Sequence, residues 1–246
     1  MQDKILKLKH LLQKTGLEDE PGSIIYSANS TLKEGKFYFL GTNPGGNNLN
    51  YSDTILNQLK FSGEKNEYID GNWGNKKHQE TIRSVFKELG INLETTFSTN
   101  TSFIRSPGEQ KYKPRSPINE EAIKSAAKAK KQLKQDGRKT FWPIQEYFLS
   151  IVKPKIVIAN GSMARDLFWN KIMKSEFSGG KVQRENMFEY SNSANKFCYF
   201  FKGDLKTDNL YIQNLTVISL PHLSFQDYSF HKKGVEWAKK KISSLM

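Results

Sequence analysis

Two hydrophobic rhythms alternate along this chain, one at helical spacing and one in short unbroken runs. Ile5, Leu8, Leu11 and Leu12 recur at the helical period with lysines between them and predict an N-terminal helix; Thr15–Pro21 then reads as a loop. The run Lys36–Leu40 is apolar and aromatic, a buried strand that ends in the glycine-rich turn GTNPGGNNLN. Residues 47–76 are polar, with one short helix at Ile55–Leu59. Ile82, Val85, Phe86 and Leu89 predict a helix over His78–Leu89, with Gly90 as its stop. Phe97–Ile104 is a second strand, leading into the proline-rich, basic loop Arg105–Pro117. Glu120–Gln135 reads as a highly charged helix and Phe141–Ile151 as an amphipathic one. Lys155–Ala159 is a third buried strand, meeting Asn160-Gly161-Ser162 and a helix over Met163–Asn170. Residues 174–211 lack a clear period, apart from a hairpin expected around NKFCYFFKGD. Leu215–Leu220 is a fourth strand ending at Pro221-His222-Leu223-Ser224, and the last helix spans about Lys232–Leu245. The chain has no internal repeat.

Strands alternating with helices predict an α/β domain whose central sheet is mainly parallel, about four strands with helices on both faces. The whole chain reads as one such domain, with the first 14 residues as a helical appendage. Ligands of such sheets bind outside the carboxyl ends of the strands. The polar turns fall there: Thr42-Asn43-Pro44-Gly45, Thr99-Asn100, Asn160-Gly161-Ser162 and His222 each follow a strand.

Composition narrows the partners. Lys and Arg number 38 against 25 Asp and Glu, a net charge of +13 over 246 residues, which favours a polyanion such as nucleic acid. The same excess also fits a lysine-rich surface kept for solubility. A single cysteine, Cys198, excludes an intramolecular disulfide and any all-cysteine metal or iron–sulfur site. No apolar run reaches 18 residues, and the first residues lack the apolar core of a secretory signal, so a cytoplasmic protein is expected.

Each turn carries two readings. The two glycines after Pro44 allow backbone N–H groups to approach a ligand, or simply make a tight connection. Gly161 and Ser162 suit a phosphate at a helix start, and Ser162 equally suits an N-cap. His222 fits a general acid or electrostatic stabiliser, or a structural histidine. Asn100 offers the paired donor and acceptor that match a base edge, or forms a turn. His10, His78, His222 and His231 are scattered in sequence, so no metal site is indicated.

Taken in order, the four turns resemble the uracil-DNA glycosylase superfamily. Gly41-Thr42-Asn43-Pro44-Gly45 is similar to its first motif, in the Asn-Pro-Gly form of the mismatch-specific and single-strand-selective branches. Thr99-Asn100 followed by Arg105-Ser106-Pro107-Gly108, and the strand Lys153–Ser162, resemble segments of the iron–sulfur branches. His222-Leu223-Ser224 stands where most members have His-Pro-Ser, and the leucine implies a looser turn. Asn43 replaces the Asp of the most active branches, and the cluster cysteines are absent, so the resemblance implies a member without cluster, metal or other cofactor.

The resemblance implies hydrolysis of the N-glycosidic bond of uracil or a related damaged base in DNA, after base flipping. Asn43 would orient the water and His222 would donate a hydrogen bond to the departing base. Thr42 and Asn100 would contact that base, with Tyr51 or Trp73 stacked on it. Gly45, Gly161, Ser162, Ser224 and Arg105 would hold phosphates, and the Glu120–Gln135 helix would extend the basic track or merely be a solvated face. The implied partner is lesion-containing DNA, with no membrane, and the implied location is nucleoid-associated. Competing with this are a non-catalytic nucleic-acid or nucleotide binder on the same fold, and an enzyme acting on free nucleosides or nucleotides.

Overall fold

Runs rich in β-branched and aromatic residues pack best on a pleated surface, and four of them, with the more polar FSTN and QRENMFE, form one six-stranded sheet in the computed structural model of the chain. The structure describes residues 2–20, 22–42, 54–61, 65–71, 76–103, 137–176, 183–189, 197–224 and 228–245. The strands are β1 (Phe37–Gly41), β2 (Phe97–Asn100), β3 (Ile156–Asn160), β4 (Gln183–Glu189), β5 (Phe197–Lys206) and β6 (Tyr211–Leu220). Their order is β2-β1-β3-β6-β5-β4. The four strands expected from the sequence are the four parallel ones, β2, β1, β3 and β6. β5 and β4 add an antiparallel pair beside β6.

Helices cover both faces: α1 (Gln2–Thr15), α2 (Ile55–Phe61), α3 (Lys76–Leu89), α4 (Gly137–Val152), α5 (Ser162–Glu176) and α6 (Tyr228–Ser243). The two-residue period of the strands divides the core cleanly. Tyr38, Leu40, Val157, Ala159, Phe201 and Val217 point to the face carrying α1, α2, α4 and α5. Phe39, Ile156, Ile158, Cys198, Phe200 and Ile218 point to the other, under α3 and α6. The architecture is thus α/β with a mostly parallel sheet, compatible with a three-layer fold.

Several expected boundaries move, each for a local reason. β2 stops at Asn100 rather than running to 104, because the Thr101 amide and hydroxyl both turn to the Gly41 carbonyl at 2.9 Å. The hairpin expected around NKFCYFFKGD is present with that segment as one arm: most of it is the ten-residue β5, antiparallel to both β4 and β6. The reversal lies beyond it, where the Thr207 amide bonds the Leu210 carbonyl at 2.8 Å. Helix α5 continues past Asn170 because Ile172 is buried, and α6 starts at Tyr228, before Lys232, because His231 packs inward.

Helix α1 is part of the core rather than an appendage. Leu8 and Leu12 are fully buried, the Tyr147 hydroxyl of α4 donates to the Lys4 carbonyl at 2.9 Å, and Lys4 Nζ donates to the Leu32 carbonyl. The segment 22–28 lies along the outer edge of β2. There the Tyr26 amide bonds the Ser98 carbonyl, Ser27 Oγ accepts the Ser98 amide, and Thr99 Oγ1 donates to the Ile24 carbonyl. The Asn100 carbonyl accepts from Gln145 Nε2 at 2.6 Å, and Gln145 Oε1 accepts from the buried Tyr38 hydroxyl. The last residue of β2 is thereby tied to α4.

Candidate functional site

Parallel strands bring their carboxyl ends to one rim, and β1 and β3 are neighbours there although 118 residues separate Thr42 from Asn160. The chain passes from β1 to β2 on one side and later to β3 on the other, so this is where a doubly wound sheet opens a crevice. Thr42 Oγ1 bridges the two strand ends by donating to the Asn160 carbonyl at 2.9 Å. The buried Asn160 side chain reaches the next strand, its Oδ1 accepting the Leu223 amide at 2.8 Å. The Gly161 amide bonds the Leu220 carbonyl at 2.9 Å.

Two glycines let these turns close in. Gly161 has φ +95°, and a Cβ there would stand 3.0 Å from Thr42 Oγ1 and 3.1 Å from His222 Cδ2. Only a residue without a side chain suits both the backbone and the space. A Cβ on Gly41 would overlap the Asn100 side-chain oxygen. Thr42, Asn100, Gly161 and His222 are therefore gathered on one rim, as their positions after successive strands lead one to expect.

His222 is held from several directions. Its Nδ1 lies 2.7 Å from Ser224 Oγ and accepts the Ser224 amide at 3.4 Å. A backbone N–H can only donate, so Nδ1 acts as acceptor and the neutral ring carries its proton on Nε2. His78, from the first turn of α3, stacks on it with centroids 5.7 Å apart and planes within 9°. His78 also donates to the Leu223 carbonyl. Burial holds the His78 pKa below the ordinary histidine value, partly opposed by that hydrogen bond.

Leu223 itself is fully buried, its amide taken by Asn160 and its carbonyl by His78. The looser turn expected from the missing proline is therefore replaced by one fastened at both backbone groups. Ser162 is exposed in the first turn of α5, and its reading as an N-cap is corrected. The Gly161 carbonyl accepts the Arg165 amide at 3.1 Å, so Gly161 holds the cap position. Ser224 is exposed beside His222. Asn43, Gly45, Tyr51, Trp73 and Arg105, and the helix expected over 120–135, lie outside the described residues.

In the sequence Asn160 stands only as part of its turn and His78 only as one of four scattered histidines, with no role at the site assigned to either. Position 78 is in helical register with Ile82, Val85 and Leu89, which marks it as inward-facing, but spacing along one helix does not reveal what lies opposite. Parallel stacked rings present faces, not converging nitrogens, so the pair is not arranged as a chelate. Among the described residues no group of three His, Cys, Asp or Glu side chains is placed to hold a metal ion, and no helix is long and apolar enough to cross a membrane.

Two open clefts of about 380 and 240 Å³ lie elsewhere, at the amino ends of the strands. Lys36 and Lys155 line both, joined by Lys153 in one and Lys202 in the other. They sit at the opposite pole from the rim that carries His222. Comparison of the chain with models of known protein families gives no match, and comparison with curated proteins gives none either.

Proposed function

We propose that the chain is a monofunctional DNA glycosylase that hydrolyses the N-glycosidic bond of uracil or a related damaged or mismatched base, on a uracil-DNA glycosylase-like fold. One observation carries the reading. Thr42, Asn100, Gly161 and His222, one from each of the four polar turns whose order resembles that superfamily, meet at one rim, where His222 has its Nδ1 occupied by Ser224 and its proton on Nε2.

The chemistry follows from that proton. A stacked base cannot be reached, so the nucleotide leaves the helix at a cost of a few kcal/mol, least where pairing is already weak. Asn100 and Thr42 read its edge, and Tyr51 or Trp73 stacks on it. Breaking the C1′–N bond sends the electron pair to the base and leaves positive charge on the sugar. The Nε2–H of His222 donates a hydrogen bond to the base anion, a preorganised contact of the kind typically worth 10²–10³ in rate. The Asn43 amide orients the water that attacks C1′; an amide takes no proton, so the water proton passes to solvent. The exposed Ser162 and Ser224 hydroxyls flank the rim for phosphates, with Gly45, Gly161 and Arg105, and the +13 charge supplies attraction over distance.

The test is base release from end-labelled oligonucleotides bearing single-stranded U, U·G, U·A, T·G or hypoxanthine, read as strand breaks after alkali. Release lost in Asn43→Ala and His222→Ala supports the enzyme and names its lesion. No release, with salt-sensitive DNA binding retained, replaces catalysis with a non-catalytic binder on the same fold. That second reading is favoured by one fact, the amide at position 43 where a carboxylate would act as base.

A further inference from the structure

We infer that His78 is a positioning residue for His222, restraining the ring through a parallel, offset stack and the turn through the Leu223 carbonyl; its catalytic consequence rests on the glycosylase reading. Three observations converge. The rings lie 5.7 Å apart and within 9° of parallel, a geometry that constrains rotation of His222 about its own side-chain bonds. The His78 N–H and the Asn160 side chain grip the carbonyl and amide of Leu223, the residue immediately after His222. The helix that presents His78 is itself immobilised: Ile82, Val85, Phe86 and Leu89 are all buried, and α3 packs along α6.

The consequence is directional. Ser224 fixes which nitrogen carries the proton and holds the Nδ1 edge of the ring, while the ring face is contacted by His78. His78 limits how far the ring can tilt about that edge. A hydrogen bond to a developing anion depends on alignment, and a displacement of about 1 Å at a reacting centre can cost about a hundredfold in rate.

Three substitutions separate the two contacts. His78→Ala removes both, His78→Phe keeps the stack without the donor, and His78→Gln keeps a donor without the ring. The readouts are kcat and KM for base release from a uracil-containing single-stranded oligonucleotide, together with ¹⁵N NMR of the His222 ring in the protein without DNA. In His78→Ala we expect kcat to fall about a hundredfold with KM unchanged, and the His222 ring signals to broaden and shift through exchange between ring orientations while the Nε2–H tautomer set by Ser224 persists. His78→Phe should recover most of the rate and His78→Gln little of it. If the wild-type chain releases no base, the NMR arm still decides: a His222 signature disordered by His78→Ala upholds positioning while the glycosylase reading fails. A folded His78→Ala protein with wild-type His222 signals, and with wild-type kcat wherever the parent is active, overturns the proposal. Should His78→Ala not fold, the Phe and Gln variants decide by the same two readouts.

Discussion

Single positions at the rim are specified by what surrounds them, and two substitutions make this measurable. Gly161 combines φ +95° with neighbours at 3.0 and 3.1 Å from any added Cβ. Gly161→Ala should therefore cost about 1–3 kcal/mol, the usual range for a strained backbone position, read as a lowered denaturation midpoint. Leu223→Pro restores the His-Pro-Ser pattern and is the more instructive change. Proline stiffens the unfolded chain, a gain of about 0.4–1 kcal/mol. It also deletes the amide that Asn160 Oδ1 accepts, leaving a buried acceptor unpaired at about 1–3 kcal/mol. The loss exceeds the gain, so the variant should be less stable, and an unchanged midpoint would contradict the role given to Asn160. The close approach at Gly161 was not legible in the sequence. An Asn-Gly-Ser turn after a strand states that a helix can start there, and says nothing of the threonine 119 residues earlier that needs the missing side chain.

At the scale of elements, three of the four parallel strands were legible because burial on both faces demands continuous apolar runs, and KFYFL, KIVIA and LTVISL have them, whereas β2, FSTN, carries a single apolar residue. The β4–β5 pair was not, because Lys202, Asp204 and Lys206 interrupt β5 with charge and β4, QRENMFE, is largely polar. Helix α3 was legible as a helix, while its contribution to the rim was hidden in one residue of its first turn. That residue gives the element a pH dependence. Burial lowers the folded-state pKa of His78 below its unfolded value of about 6.5. As pH falls through that value the unfolded chain takes up a proton that the folded chain resists. The associated stability is therefore present above about pH 6.5 and is lost on acidification toward the folded pKa. Urea denaturation at pH 7.5 and 5.5 should show wild type losing more stability between the two than His78→Phe does; equal losses would assign the pH dependence to other groups.

For the whole molecule, charge and topology act at opposite ends of the sheet. The net +13 predicts that DNA binding weakens by about a thousandfold between 50 and 200 mM salt for six phosphate contacts. Fluorescence anisotropy with a labelled oligonucleotide measures this, and salt-independent binding would remove the phosphate track. The lysines at the opposite pole, Lys36, Lys153, Lys155 and Lys202, contribute to that net charge without lying near the rim.

The segment 22–28 has a consequence for how this molecule meets copies of itself. β2 ends one side of the sheet, and a strand in that place ordinarily offers an open row of amides and carbonyls to any passing chain. Here the Ser98 amide, the Ser98 carbonyl and the Asn100 carbonyl are already taken, by Ser27, Tyr26 and Gln145. The segment works as a hem sewn over a cut edge. A Tyr26→Pro, Ser27→Ala variant keeps α1 and every strand but removes the hem's bonds to the Ser98 carbonyl and amide, and should scatter progressively more light than the parent chain at equal concentration. Solubility in this protein would then depend on a handful of hydrogen bonds as well as on its abundant lysines.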